Sequence, residues 1–320
     1  MPKRRRPRRG SLQYWPRRRA RRIYPRISHW TASKELRPLG FAAWKAGMTH
    51  IQIIDNNPNS PNRDKPIAKP ATILDSPPLL VCGIRFYKKT YNGLATIGEK
   101  WIAKLPKNLQ RKVTKAGSSK EIKGEFDVRL IVSTQPEKSG LHKLKPDVFE
   151  IAVGGEDITK KAEYAESLLG KEITAKDVIK PGEFVDITAV TKGHGFTGPV
   201  KRFGVRLKGR KDQQMHRHIG SLGSTTPRKV DWRIPAAGQY GFFTRTETGK
   251  KIVAIGDNPK DVNPKGGFIG YGLVNSNYII IEGSIPGPSK RLIRLRKTAR
   301  KKNITPVEVK YISLESKQGK

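Results

Sequence analysis

The 320-residue chain has few of the residues that build covalently linked, metal-bound or membrane-embedded structures. Its single cysteine, Cys82, excludes a disulfide framework and any cysteine-rich zinc site. No apolar run approaches the roughly 18–20 residues that a membrane-spanning helix needs. The basic N-terminus is not followed by the apolar stretch of a secretory signal. The sequence therefore predicts a soluble, cytoplasmic protein.

Acidic residues are also scarce, and this shortage is the strongest signal in the composition. Only 27 Asp and Glu residues oppose 65 Lys and Arg residues, which gives a formal net charge of +38. So many like charges repel one another in a compact chain unless a polyanion neutralises them. Nucleic acid is the natural polyanion because bound phosphates release condensed counterions, and an acidic membrane surface is the main alternative. The apolar fraction of 35% still allows a real core.

The N-terminal segment combines positive charge with aromatic residues. Residues 1–34 contain thirteen Lys and Arg residues, four prolines and four aromatic residues, with no acid before Glu35. The prolines interrupt any helix, so we interpret residues 1–38 as an extended basic tail. Aromatic side chains in such a tail can stack on nucleobases. A targeting or solubility tail is the alternative interpretation.

The remaining charge is distributed unevenly. Residues 99–183 hold 17 basic and 14 acidic residues and resemble an ordinary mixed surface. Residues 191–246 hold twelve basic residues, two acids and nine glycines, and residues 290–302 hold eight basic residues and no acid. The 191–246 segment has neither helical nor strand periodicity over most of its length, which is typical of a functional or disordered loop.

Most apolar segments predict strands, because they are short, rich in β-branched residues and bounded by Gly, Pro or Asn. The predicted strands cover 40–55, 70–75, 79–89, 127–134, 147–155, 183–191, 250–257, 268–274, 277–285 and 290–297. A helix is predicted over 158–169, between Asp157 as N-cap and Gly170, and a weaker one within 101–113.

These elements predict a mainly β fold with an α+β insertion. We expect a discontinuous β-barrel from residues 39–98 and 181–320, which contains a basic extension at 200–235. The insertion is expected to span residues 99–180.

One glycine motif suggests a nucleotide site, but the residues that follow it do not fit such a site. Residues 193–198 match G-x-G-x-x-G, but a dinucleotide site needs a helix that begins at the third glycine. Pro199 and a Gly- and Arg-rich stretch without helical periodicity follow instead. We interpret these glycines as backbone that can approach phosphate closely.

No catalytic or metal site is predicted. His216 and His218 form H-x-H without a third ligand nearby, and the other histidines make no recognisable triad with Ser or Cys. The acids concentrate in the nearly neutral 99–183 segment, so no paired-carboxylate site is visible. The protein is not expected to be an enzyme. An RNA-modifying enzyme with a basic RNA-binding barrel and a DNA-compacting chromatin-type protein are the alternatives.

Six segments, in order along the chain, resemble the universal large-subunit ribosomal protein L-three family in its archaeal form. They are GSLQYWPRRRA (10–20), GFAAWKAGMTHI (40–51), VTKGHGFTGPVKRFG (190–204), AAGQYGFFTRT (236–246), GGFIGYG (266–272) and GSIPGPSKRLIRLRK (283–297). The second carries the Lys-x-Gly-Met-Thr core of the first barrel strand, and the third carries the Thr-Lys-Gly-x-Gly-Phe signature.

The resemblance implies a six-stranded barrel of the translation-protein type with a helical insertion, a long basic central extension and an extended N-terminal tail. It implies a structural constituent of the large ribosomal subunit that binds its rRNA and acts early in assembly. One extension would reach towards the peptidyl transferase centre. The expected partners are large-subunit rRNA and neighbouring large-subunit proteins, with no membrane and no small-molecule substrate. No cofactor is expected, apart from Mg²⁺ ions that rRNA itself can hold.

The predicted rRNA-binding residues are basic or aromatic residues of the tail, the glycine-rich segment and two barrel strands. They are Arg4, Arg5, Arg6, Arg8, Arg9, Trp15, Arg17, Arg18, Arg19, Arg21, Arg22, Lys45, Lys192, His194, Phe196, Lys201, Arg202, Arg206, Arg210, Lys211, His216, Arg217, His218, Arg228, Lys229, Trp232, Arg233, Lys290, Arg291 and Arg294.

The expected extension tip comprises Thr225, Thr226 and Pro227. The family usually presents Trp or Gln shortly before this proline, whereas this chain has Thr225 two positions before it. Trp232 lies seven residues beyond Thr225, and which of the two takes the tip role stays open.

Overall fold

A computed structural model describes residues 9–113, 117, 124–226, 228–300, 304, 307–316 and 318. Strands dominate it, which confirms the prediction of a mainly β chain. The strands are β1 (Gly40–Ile54), β2 (Pro66–Asp75), β3 (Leu79–Thr90), β4 (Gly93–Trp101), β5 (Asp127–Ser133), β6 (Val148–Ala152), β7 (Glu172–Ile173), β8 (Phe184–Val190), β9 (Gly193–Thr197), β10 (Gly238–Gly241), β11 (Thr244–Gly256), β12 (Tyr278–Glu282), β13 (Leu292–Lys297) and β14 (Val309–Ile312). The α-helices are α1 (Lys107–Gln110), α2 (Ile158–Leu168), α3 (Ala175–Val178) and α4 (Pro199–Phe203).

The larger sheet has seven strands in the order β13-β8-β11-β12-β2-β1-β14, and β13 also pairs with β1. Strand β1 is 15 residues long and pairs with β13 from Gly40 to Trp44. Its register with β2 shifts between Lys45 and Gly47, where the sequence has a Lys-Ala-Gly break. A bulge of this kind bends a strand, which lets one long strand pair with several neighbouring strands.

The smaller main sheet has the order β4-β3-β5-β6, with β7 also paired to β3. Helix α2 packs against β3 and β5 and buries Ala165. It begins after Asp157, whose side chain makes no capping hydrogen bond, and it is followed by Gly170 at φ 79°, as predicted. Strand β3 therefore pairs with β5 and β7 of the predicted insertion, and β4 joins this sheet through β3.

The strand predicted over 268–274 is wrong. Gly266, Gly267, Gly270 and Gly272 all adopt positive φ, so the segment turns instead of extending. The backbones of Phe268 and Gly272 exchange hydrogen bonds of 2.8 and 3.0 Å across this turn. The weak helix expected within 101–113 shortens to α1, which follows Pro106.

The chain divides into two compact units. The basic unit comprises residues 1–22 and 190–245, and the sheet unit comprises residues 23–189 and 246–320. Among the described residues, no helix has the length and apolarity to span a membrane. The division into tail, barrel and insertion predicted above stays a prediction.

A buried carboxylate ties three segments of the sheet unit together. Asp75, at the end of β2, is fully buried and accepts hydrogen bonds from the Tyr271 hydroxyl at 2.6 Å, the Gly140 amide at 3.1 Å and the Ser276 hydroxyl. Burial raises the pKa of Asp75, although these hydrogen bonds oppose the shift. Tyr271 lies in the glycine-rich turn, so Asp75 fixes that turn to the sheet.

We expect Asp75→Ala to destabilise the protein by about 3 kcal/mol, because it leaves several buried donors without an acceptor. Asp75→Asn should cost clearly less, because the carboxamide oxygen can still accept from Tyr271 and Gly140. Urea unfolding at pH 7 measures both losses, and equal losses would contradict the acceptor role. Because the folded-state pKa is raised, the stability of wild type relative to Asp75→Asn should increase as the pH falls through the folded-state pKa towards 3.8.

Candidate nucleic-acid interface

The glycine-rich segment of the basic unit begins as a two-stranded ribbon, β9–β10. Gly193 pairs with Gly241 and Phe196 with Gln239, so a bulge in β9 sets His194 and Gly195 opposite Tyr240 alone. The rings of His194 and Tyr240 stack with centroids 5.2 Å apart and an interplanar angle of 22°. Phe196 is 81% exposed. The ribbon thus shows aromatic surface to solvent, where bases can stack.

A short helix follows the ribbon, which corrects the expectation that no helix begins after the third glycine. Helix α4 has Gly198 as its N-cap, Pro199 as its first residue and Gly204 at φ 63° as its C-cap. Proline suits this first position because its missing amide would have no partner there. The helix buries Phe203 and places Arg202 in its last turn.

Aromatic rings join the tail to the glycine-rich segment within the basic unit. Trp15 stacks on Phe203 with centroids 6.4 Å apart and meets Trp232 edge-on at 5.1 Å. The Arg17 guanidinium lies 4.3 Å from the centroid of the Phe203 ring. Arg9 donates a 2.5 Å hydrogen bond to the Gly204 carbonyl. We call Trp15, Phe203 and Trp232 the aromatic cluster.

Several arginines of the basic unit are positioned by neutral groups. Arg202 donates to the Gln239 carbonyl at 3.0 Å and the Ala236 carbonyl at 2.8 Å, and burial lowers its pKa. The Arg245 guanidinium lies 4.3 Å from the Tyr14 ring centroid. Carbonyls and rings orient a guanidinium without cancelling its charge. These contacts therefore hold the two guanidiniums in place.

The segment between Phe203 and Gly238 contains no helix or strand among its described residues. None of its described residues from 206 to 230 is buried. One local contact is a 3.1 Å backbone hydrogen bond from Lys208 to His216. The predicted tip residues Thr225 and Thr226 are exposed, and Pro227 lies outside the described residues.

Most predicted rRNA-binding residues lie on the exposed surface. The exposed ones are Arg9, Arg18, Arg19, Arg21, Arg22, Lys192, His194, Phe196, Lys201, Arg206, Arg210, Lys211, Arg217, His218, Arg228, Lys229, Trp232, Arg233 and Lys290. The half-buried ones are Trp15, Arg17, Arg202 and His216. Arg4, Arg5, Arg6 and Arg8 lie outside the described residues.

Three predicted residues are buried in the sheet unit. Lys45 donates to the carbonyls of Ile285 and Gly287 at 2.7 and 3.0 Å. Arg294 donates to the Pro25 and Glu150 carbonyls and lies 4.2 Å from the Phe149 ring centroid, and burial lowers its pKa. Arg291 is 8% exposed. Their contacts support the packing of this unit, and their contact with rRNA stays a prediction.

The predicted rRNA-binding set left out four residues that the structure brings into the basic unit's contacts, namely Tyr14, Gln239, Tyr240 and Arg245. Tyr240 stacks on His194, Tyr14 contacts Arg245, and Gln239 accepts from Arg202 through its carbonyl. The AAGQYGFFTRT segment carried a signal for Tyr240, because an aromatic residue close to glycines has little core to enter.

The structure offers no sign of a metal or nucleophile site in its described part. No group of three His, Cys, Asp or Glu residues there could hold a metal ion. Cys82 is buried, and burial raises the pKa of its thiol to about 12. A thiol with such a pKa is protonated at neutral pH and is a poor nucleophile.

We expect Trp15→Ala to release the tail, because it removes both ring contacts of the aromatic cluster. The loss of two aromatic pairs should raise the rate of tryptic cleavage within residues 17–22 by about tenfold. Mass spectrometry of a digestion time course measures this rate. Leu12→Ala, which removes an exposed apolar side chain of the same segment, is the control. Equal cleavage of the two variants would show that the cluster does not hold the tail.

Comparison with known proteins identifies the relatives of this chain. The family model described as "Ribosomal protein L3" matches residues 1–127 and 118–319. A "Large ribosomal subunit protein uL3" of Methanopyrus kandleri is 47% identical over 332 residues, covering 98% of this chain and 92% of the relative. Proteins with the same name from Methanococcus vannielii and Methanothermobacter thermautotrophicus are 43% and 44% identical. The first covers 99% of both chains and the second 98% of both.

Proposed function

The chain belongs to the ribosomal protein L3 family, and from this premise we propose that it binds large-subunit rRNA through the surface of its basic unit. The family confirms the prediction of an archaeal-type structural constituent of the large ribosomal subunit, located in the cytoplasm, and not an enzyme. The proposal concerns which surface meets the RNA and how it does so.

The charge of the basic unit is the observation that carries this proposal. It holds 23 of the 65 Lys and Arg residues and only two of the 27 Asp and Glu residues. Both acids serve the local backbone, since Asp212 accepts from the Gly209 amide and Asp231 from the Arg233 amide. Arg202 and Arg245 are oriented by carbonyls and rings. Phosphate is the anion that such an array recruits.

We propose that strands β1, β2, β12, β11, β8 and β13 form the six-stranded barrel of the translation-protein type. The pairing of β13 with both β8 and β1 supports closure, because it returns the strand order to its start. The partition into tail, barrel with a 200–235 extension, and insertion is part of this proposal. The pairing of β3 with β4, β5 and β7 in one sheet favours an insertion that begins near residue 79.

We further propose that the 200–235 extension reaches towards the peptidyl transferase region and supports early subunit assembly, alongside neighbouring large-subunit proteins. Its cationic residues, and the absence of a buried side chain among the described residues from 206 to 230, support a segment that follows RNA. Mg²⁺ ions held by the rRNA would share the neutralisation of phosphates there.

The affinity for large-subunit rRNA should fall steeply with salt. Each neutralised phosphate contributes roughly −0.7 to −0.9 to the slope of log affinity against log salt, so ten contacts give about −7 to −9. Filter binding at a series of KCl concentrations measures the slope. Binding to duplex DNA is measured at the same salt concentrations, and weaker binding to DNA than to rRNA would show that the shape of the RNA is recognised as well as its charge. A flat salt response would contradict binding through phosphates.

Replacing residues 206–230 by a short Gly-Ser linker should keep the protein folded, because none of the described residues in this range is buried. Phe203 and Trp232 both contact Trp15, so a short linker can join the two ends. Seven cations are lost, and the salt slope should become shallower by about five if each contacts a phosphate.

Thermal unfolding and subunit profiles test this replacement. We expect cooperative unfolding to persist while large subunits that carry the variant assemble poorly or transfer peptides slowly. Loss of cooperative unfolding would show that the segment belongs to the core. An unchanged salt slope together with normal subunits would remove the extension from the proposed interface.

A further inference from the structure

A groove within the basic unit has the chemistry of a nucleotide site. It has a volume of about 560 Å³ and is lined by Arg19, Arg21, Gly193, Gly195, Gln239 and Phe242. We infer that this groove receives one unpaired nucleotide of the rRNA, with its base against Phe242 and its phosphates on the two arginines. The inference rests on the proposed function and names the ligand of one part of that surface.

Glycines make the floor of the groove. Gly193 and Gly195 flank His194 in the bulged part of β9, and both line the groove face of the ribbon. A Cβ on Gly195 would meet nothing within 4 Å, and one on Gly193 would meet only the Phe242 side chain at 3.5 Å or more. Without Cβ atoms this face of the ribbon is bare backbone, which lets a ligand approach closely.

The tail forms the cationic wall. The Ala20 amide donates a 2.9 Å hydrogen bond to the Phe242 carbonyl, which anchors the tail beside the ribbon. Arg19 and Arg21 flank this anchor, line the groove and are exposed. Two guanidiniums held on either side of one backbone hydrogen bond can contact successive phosphates of a single strand.

The aromatic wall is held in an unfavourable backbone conformation. Phe242 has φ 55°, a left-handed conformation that a bulky residue rarely adopts. Its amide donates to the Lys192 carbonyl at 3.0 Å, and Gly241 before it has φ 74°. A Cβ on Gly241 would lie 2.0 Å from the Lys192 carbonyl oxygen, so only glycine fits there. This backbone places the Phe242 side chain over Gly193, at the lining of the groove.

A carboxamide completes the groove. The Gln239 side-chain nitrogen donates to the Gly241 carbonyl at 3.1 Å, which fixes the amide and leaves its oxygen to accept from a base. Ring, carboxamide and guanidiniums are the groups that recognise an unstacked RNA base and its phosphates. A base in an A-form duplex cannot present its face to this ring, so the nucleotide must be unpaired.

Gly193→Val tests the groove without changing any charge. The φ of Gly193 lies outside the left-handed region, so valine can adopt the backbone while its side chain fills the floor. Gly198→Val is the matched control, because Gly198 has φ −71°, lies outside the groove and would place its Cβ in open space. Gly193→Ala adds only a Cβ at ordinary contact distance and serves as the milder variant.

The variants are compared with wild type in binding to full-length large-subunit rRNA, together with chemical probing of the bound RNA. We expect Gly193→Val to weaken binding by about tenfold, Gly193→Ala to weaken it less, and Gly198→Val to change it by less than about twofold. The salt slope should not change with either Gly193 variant, whereas Arg19→Ala with Arg21→Ala should make it shallower by about 1.4. One unpaired nucleotide should lose its protection in Gly193→Val alone.

The outcomes separate this inference from the function on which it rests. Wild-type protein that fails to bind rRNA, or binds it without salt dependence, overturns the proposed function. Wild-type binding with equal affinities and footprints for Gly193→Val and Gly198→Val overturns the groove alone. Melting curves show whether Gly193→Val is folded. If it is not, Gly193→Ala takes its place in the test. Equal binding and equal footprints for Gly193→Ala and wild type then overturn the groove.

Discussion

Repulsion among like charges in the basic unit is the constraint on which the rest of this structure depends. Twenty-three cations share this unit with two acids, so carboxylates cannot hold its arginines in place. The sheet unit uses the opposite solution, since Arg37 pairs with Glu183 and Arg296 with Asp186. In the basic unit, rings and carbonyls position Arg9, Arg17, Arg202 and Arg245. Neutral partners orient a guanidinium and leave its field intact, which is what a phosphate-binding surface requires.

The aromatic cluster has a second consequence for binding. A free basic tail loses conformational entropy when it docks on RNA, and this loss reduces the affinity that its contacts supply. The stacking of Trp15 on Phe203 and its edge-on contact with Trp232 order the tail against the glycine-rich segment within the protein itself. Part of the entropy cost is then met before RNA arrives, so more of the phosphate contact energy appears as affinity. Aromatic residues of the tail thus have partners within the protein as well. The Tyr14 ring contacts Arg245, and the Tyr24 hydroxyl donates a hydrogen bond to the Val148 carbonyl.

The sequence predicted those parts of the fold whose local pattern agrees with their environment. Strand β12 consists mainly of buried, β-branched residues, and α2 has a glycine just past its end, so the sequence located both elements. Strands β9 and β10 carry glycines and exposed side chains instead of buried alternation, and periodicity therefore missed them. The strand prediction for residues 268–274 failed for the reverse reason. The apolar residues there suggested a strand, and the positive φ angles of the glycines exclude one. The contact of Trp15 with Trp232 joins residues 217 positions apart, and nothing local encodes such a pair.

The glycine motif shows why a sequence pattern needs its structural setting. In a dinucleotide fold, a G-x-G-x-x-G sequence places phosphate at the N-terminus of a long helix. Here the helix that follows has five residues, and the glycines act through the ribbon that precedes it. Both settings exploit the missing Cβ, but the charge that holds the ligand comes from different sources, a helix dipole in one and tail arginines in the other. Arginines without the bare backbone would attract any polyanion, and bare backbone without arginines would attract none. Selectivity for one strand geometry therefore depends on Gly193 and Gly195 lying beside Arg19 and Arg21, which is a property of the fold and not of either segment alone.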